Sequence, residues 1–160
     1  MRRALTAVAL TLATALTLAQ APPNFAGKWA LVPDPNAAGG GRGGMAGGLG
    51  PEATITQDAS SLTIKRTTQM GEFTSTYKLD GSESRNTLNF QGNSVDQMSI
   101  AKWDGPKLLV NTKMDFGGNL VETSMVMALD STGNLVVDTT RPDFQGGGAP
   151  ITTKATYKKN

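Results

Sequence analysis

The sequence contains no cysteine and no histidine. That excludes disulfides, thiolate nucleophiles, imidazole metal ligands and an imidazole acid or base, and with them Ser-His-Asp and Cys-His catalysis. Charge of one sign is also lacking. Fifteen Lys and Arg face thirteen Asp and Glu, and the excess is Arg2 and Arg3; without those two the counts are equal. No basic footprint for nucleic acid is left. Long hydrophobic runs are scarce. The run Ala4–Ala19 is too short for a comfortable membrane span and no stop-transfer pattern follows it.

That run has a different reading. Two arginines precede it, and Ala19-Gln20-Ala21 fits the small-residue rule of a signal-peptidase site. Residues 1–21 are expected to be a cleaved signal peptide. No cysteine lies at the site to carry a lipid. Residues 22–160 are then expected to be one domain, monomeric and not membrane-spanning, in the periplasm or secreted. With no disulfide, its stability must come from packing.

Glycine is plentiful. The stretch "NAAGGGRGGMAGGLGPEA" runs from Asn36 to Ala53. A phosphate-binding loop needs G-x-x-x-x-G-K-[ST] between a strand and a helix. No Lys-Ser or Lys-Thr follows these glycines, and the next segment, "EATITQD", alternates like a strand. The expectation is a flexible loop over 36–51, with Gly39 to Gly50 mobile. A second run, "QGGGAP", spans Gln145–Pro150.

No convincing helical pattern occurs after residue 21. Ten runs instead read as strands: Phe25–Val32, Glu52–Asp58, Leu62–Thr68, Glu72–Asp80, Arg85–Phe90, Val95–Trp103, Lys107–Phe116, Leu120–Asp130, Asn134–Arg141 and Ile151–Lys159. Thr, Val, Ile and aromatic residues dominate them, and many alternate with period two. Asp80-Gly81, Asp104-Gly105, Gly117-Gly118 and Ser131-Thr132-Gly133 separate them with turn formers. The pattern predicts an all-β, antiparallel up-and-down meander of about eight to ten strands. Closure into a barrel best removes its exposed edges; a β-sandwich is the alternative.

"NFAGKW" (Asn24–Trp29) places an aromatic and then Gly-x-Trp at the start of the first strand. That opening resembles the lipocalins and the wider calycin group. The later segments "AKWDGPKLLV", "ETSMVMALDSTGNLVV" and "TYKK" resemble small exported bacterial proteins described as lipocalin-like. The resemblance implies a barrel whose base is closed by Trp29, with Gly27 letting the chain turn in.

Three odd-numbered strands share a pattern, apolar residues first and then Thr with a cation: "LTIKRTT", "LLVNTKM" and "LVVDTTR". In a meander odd strands run the same way, so their Thr/Arg ends share one end of the barrel. Turn chemistry tests which face is inside. A two-residue Gly117-Gly118 hairpin sets Val110 opposite Met125 and Leu108 opposite Met127. A three-residue Ser131–Gly133 loop sets Leu135 opposite Leu129 and Val137 opposite Met127. Both registers choose the same apolar face of the shared strand. The candidate ligand-binding residues are Arg66, Thr112, Met114, Thr123, Met125, Met127, Thr139 and Arg141. They predict an apolar interior with a cationic mouth, suited to a small hydrophobic or amphipathic anionic ligand. The methionines would form an adaptable wall. The competing readings are a filled barrel core with solvated arginines, and a non-catalytic interaction module of the cell envelope. Catalysis would need carboxylates such as Glu122 or Asp138, which this register turns outward. No enzyme, metal or cofactor is implied.

Overall fold

Period-two alternation produces ten strands in the computed structural model, which describes residues 21–33, 48–68, 71–90, 92–144 and 147–160. They are β1 (Gly27–Leu31), β2 (Glu52–Gln57), β3 (Ser61–Thr68), β4 (Gly71–Lys78), β5 (Glu83–Phe90), β6 (Asn93–Asp104), β7 (Lys107–Phe116), β8 (Asn119–Leu129), β9 (Leu135–Arg141) and β10 (Ile151–Lys159). The signal-peptide expectation lies outside the described residues apart from Ala21, and so does the glycine loop between residues 34 and 47.

All ten strands form one sheet in the order β4-β3-β2-β1-β10-β9-β8-β7-β6-β5. Every paired neighbour is antiparallel, including the first and last strands, where Trp29 faces Lys159. The fold is a nearly closed up-and-down barrel. A single sheet with β1 joined to β10 excludes the sandwich alternative.

The ring is left open only between β4 and β5, and side chains span that seam. The Asn86 amide accepts the Thr76 N–H (2.8 Å) and donates to the Thr76 carbonyl (3.1 Å). It makes the two bonds that a neighbouring backbone would make in a ladder. Ser84 Oγ accepts the Lys78 N–H at 2.7 Å. The edge of β4 is thereby blunted without a backbone partner.

Turn chemistry sets the register as expected. Gly117 and Gly118 both take positive φ (65° and 94°), the requirement of a tight two-residue hairpin, and Gly133 sits at φ 83°. Val110 faces Met125, Leu108 faces Met127, Leu129 faces Leu135, and Met127 faces Val137. Two aspartates tie turns closed. Asp58 accepts from the Ser60 and Ser61 backbone and hydroxyls, and Asp130 accepts from Thr132 and Asn134.

Odd strands run toward one end of the barrel, here the mouth. The opposite end is the base, and it is filled. Phe25 and Trp103 stack with ring centroids 5.7 Å apart, and the buried Trp29 donates its indole N–H to the Phe25 carbonyl (2.8 Å). Gly27 holds φ 149°, a conformation that L side chains rarely adopt, and a Cβ there would collide with the end of Lys159. Above the base, Leu62, Ile64, Leu108, Val110, Met127, Leu135 and Val137 pack into one core.

The end of the glycine stretch is packed, not slack. Leu49 is 1% exposed within the core, and its N–H donates to the Tyr157 hydroxyl at 2.7 Å. Gly48 donates to Thr139 Oγ1 at 3.0 Å. Gly48 and Gly50 both hold positive φ (86° and 82°). A Cβ on Gly48 would strike the Tyr157 hydroxyl. These two glycines bracket Leu49 because only glycine allows the chain to fold a leucine inward there. Of the stretch expected to be mobile, Gly39 to Gly50, the described residues 48–50 hold a buried leucine and two hydrogen bonds to the barrel; the remainder lies outside the described residues.

Candidate binding site at the barrel mouth

β3, β7, β8 and β9 bring the candidate residues together because their inward faces share one alternation. At the mouth end of that face, Arg66, Thr112, Met114, Thr123, Met125, Thr139 and Arg141 line a cavity of about 170 Å³. Met127 does not. It is fully buried below the cavity, against Leu108 and Val137 across the ladders. Its assignment as a ligand contact is corrected to core packing: two steps of alternation below Thr123, the barrel is already filled.

The cavity contains residues that the sequence reading missed. Gln97 and Phe116 follow from alternation alone, on β6 beside Val95 and on β7 after Met114. Gly48 and Phe144 come from loops, where no periodicity exists to reveal them.

The floor is polar. Ser99 and Thr112 share a hydrogen bond at 2.9 Å, and Ser75 Oγ donates to Gln97 Oε1 at 2.9 Å; all four residues are buried. The walls carry two cations. The Arg66 guanidinium lies 5.9 Å from the Phe73 ring centroid, and the Arg141 guanidinium 5.8 Å from that of Phe144. Aromatic faces hold both groups in place by cation–π attraction. Arg141 Nε is buried and has no hydrogen-bond partner among the described residues. Its Nη1 donates to the Pro142 carbonyl at 3.4 Å. No carboxylate lines this cavity among the described residues. Glu122 and Asp138 point to the outer face, Glu122 paired with Lys113 at 2.8 Å and Asp138 with Lys154 at 3.8 Å.

Tyr157 underlies the same region. Burial pushes its phenol pKa up, against the opposing effects of the Leu49 hydrogen bond and the Arg66 charge. It therefore stays a neutral hydroxyl that accepts the Leu49 N–H. The arrangement offers guanidinium and hydroxyl donors to an anion in a small, partly apolar space.

A larger concavity, about 410 Å³, lies on the outer sheet face where β9 leaves β8. Ile100, Asn111, Ser124 and Thr140 form a row across it. Its two charged side chains on β7 and β8, Lys113 and Glu122, already neutralise each other. Arg141 borders both cavities, but the outer one also takes Glu83 and Glu122, whereas the mouth adds Arg66 and, among the described residues, no carboxylate, so the mouth is the stronger candidate. Compared with known proteins, the chain matches no family model and no curated sequence.

Proposed function

We propose that the protein is an exported, lipocalin-like, non-catalytic binder of a small anionic or amphipathic ligand, held at the mouth of its barrel. The observation that carries this reading is Arg141: a buried guanidinium Nε that has no partner among the described residues, beside a cavity that also takes Arg66 and, among those residues, no carboxylate. A buried donor without a partner bears a desolvation cost, and an anion would relieve it. Charge-assisted bonds of this kind contribute about 1.5–3 kcal/mol. Export rests on the Ala19-Gln20-Ala21 site, and N-terminal sequencing of secreted or periplasmic protein should start at Pro22.

The size of the cavity narrows the ligand. Sites for drug-sized molecules run to about 300–1,000 Å³. At about 170 Å³, this one suits a carboxylate or similar anion with a short body, not an enclosed fatty acid. The test is titration with octanoate, followed by calorimetry and by NMR of the mouth residues. Arg141→Gln should weaken binding about 10- to 100-fold, the equivalent of the charge-assisted bond, with the unfolding midpoint nearly unchanged. A wild-type protein that binds neither octanoate nor phosphate would leave the second reading, an interaction module of the cell envelope with a filled barrel. The packed lower barrel and the outer concavity support that alternative.

A further inference from the structure

An amphipathic anion can enter a barrel mouth in either of two directions. With its head at the rim, its tail must run down the barrel axis. With its head down, the tail must leave through the mouth. Resting on the reading above, the geometry points to the second: we infer that the ligand is a short amphiphilic monoanion bound head-in, its charged group on the polar floor and its apolar end directed out past Phe116 and Phe144.

Three observations argue for this direction. The space below the mouth is taken. Leu108, Val110, Met127 and Val137 are buried there, and none of them borders the cavity. The boundary between cavity and core is mixed: Tyr77 and Met125 reach it, and so do two buried polar pairs. The Ser75–Gln97 and Ser99–Thr112 pairs stand across it. A hydrocarbon tail driven downward would part these bonds and leave buried polar groups facing methylenes. A head group at the same level meets hydroxyls and an amide, with Arg66 and Arg141 on the walls. Lastly, the apolar wall lies toward the outside. Met114, Phe116, Val121 and Phe144 all line the cavity, and the last strand residue of β7, Phe116, is 37% exposed while Phe144 is 62% exposed. Apolar side chains that half face water at a mouth are suited to a tail that itself leaves the pocket.

The volume sets the length. About 170 Å³ holds the equivalent of about five or six waters at ~30 Å³ each, enough for a head group and a few carbons. Affinity should therefore rise along the series from propionate to octanoate and level off in longer chains, whose extra methylenes lie beyond the rim.

The experiment uses the full mature chain and a fatty acid with a dansyl group at its tail end, 11-(dansylamino)undecanoate. Binding is read by anisotropy and by competition with octanoate. Head-in binding leaves the bound dansyl emission near its position in water and open to iodide quenching. A blue-shifted, quencher-shielded dansyl overturns the direction while leaving anion binding intact. No anisotropy rise, together with no octanoate-induced NMR shifts, overturns both this inference and the binding function on which it rests. Phe116→Thr, which keeps a strand-forming residue, gives a second reading. It should weaken octanoate several-fold and leave propionate unchanged; equal effects on the two ligands, or none, would overturn the outward tail path.

Discussion

Leu49→Ala separates a packed plug from a slack loop. Glycine density around this residue suggests chain whose length and sequence hardly matter, since doubling a flexible loop costs only about 0.6 kcal/mol. The structure makes a different demand. Leu49 is 1% exposed, belongs to the core that includes Tyr157 and Val137, and enters between two positive-φ glycines. Truncation of a buried leucine costs about 2–5 kcal/mol, the spread reflecting how far the site collapses. Leu49 is carried by a connection and not by a strand, so its neighbours can follow it inward more easily than they could follow Leu108. The lower part of the range, about 2–3 kcal/mol, is expected. The Leu49 N–H bond to Tyr157 is retained in the variant, because it belongs to the backbone. Urea unfolding reads the effect. With a slope of about 2 kcal/mol/M, the midpoint should fall by roughly 1–1.5 M at an unchanged slope. Leu120→Ala is the control. That leucine is 55% exposed at the β7–β8 turn, and its loss should stay within about 0.5 kcal/mol. If Leu49→Ala matches Leu120→Ala, the packing argument is wrong and the loop is slack to its end.

Two further perturbations probe the frame. Asn86→Ala should leave the Thr76 N–H and carbonyl without their bridge across the seam, lowering stability by about 1 kcal/mol and speeding hydrogen exchange at the Thr76 amide; an exchange rate unchanged at Thr76 would mean that the seam is not held by this side chain. Acid should weaken the turns. Hydrogen bonds from Ser60 and Ser61 lower the Asp58 pKa from 3.8 to about 2, and bonds from Thr132 and Asn134 lower that of Asp130 to about 2. Because the folded values lie below the unfolded ones, this contribution is fully present above pH about 4 and is lost as pH falls through about 2. Thermal melts should be flat in this respect at neutral pH and fall within that window, and a variant with both Asp58→Asn and Asp130→Asn should show a shallower fall; an identical acid profile would refute the assignment.

Local chemistry in the sequence determined the strands and their register. The all-β class follows from Thr- and Val-rich period-two runs, and the boundaries of β7 and β10 agree with those runs residue for residue. Register was legible because Gly117-Gly118 and Gly133 permit only certain hairpins, and each hairpin names which residues face each other. The shared inward face then placed Arg66 and Arg141, seventy-five positions apart, at one mouth. Alternation tells inside from outside, but it does not tell full from empty. Met127 and Met125 have the same parity, yet one is core and the other lines the cavity. That difference depends on how ten strands close and on what fills the axis. Leu49 and Phe144 come from connections, whose side chains carry no period. The side-chain seam at Asn86 likewise exists only because β4 and β5, adjacent in sequence, end as the two edges of the sheet. Pairing is a property of neighbouring segments; depth and closure are properties of the whole barrel.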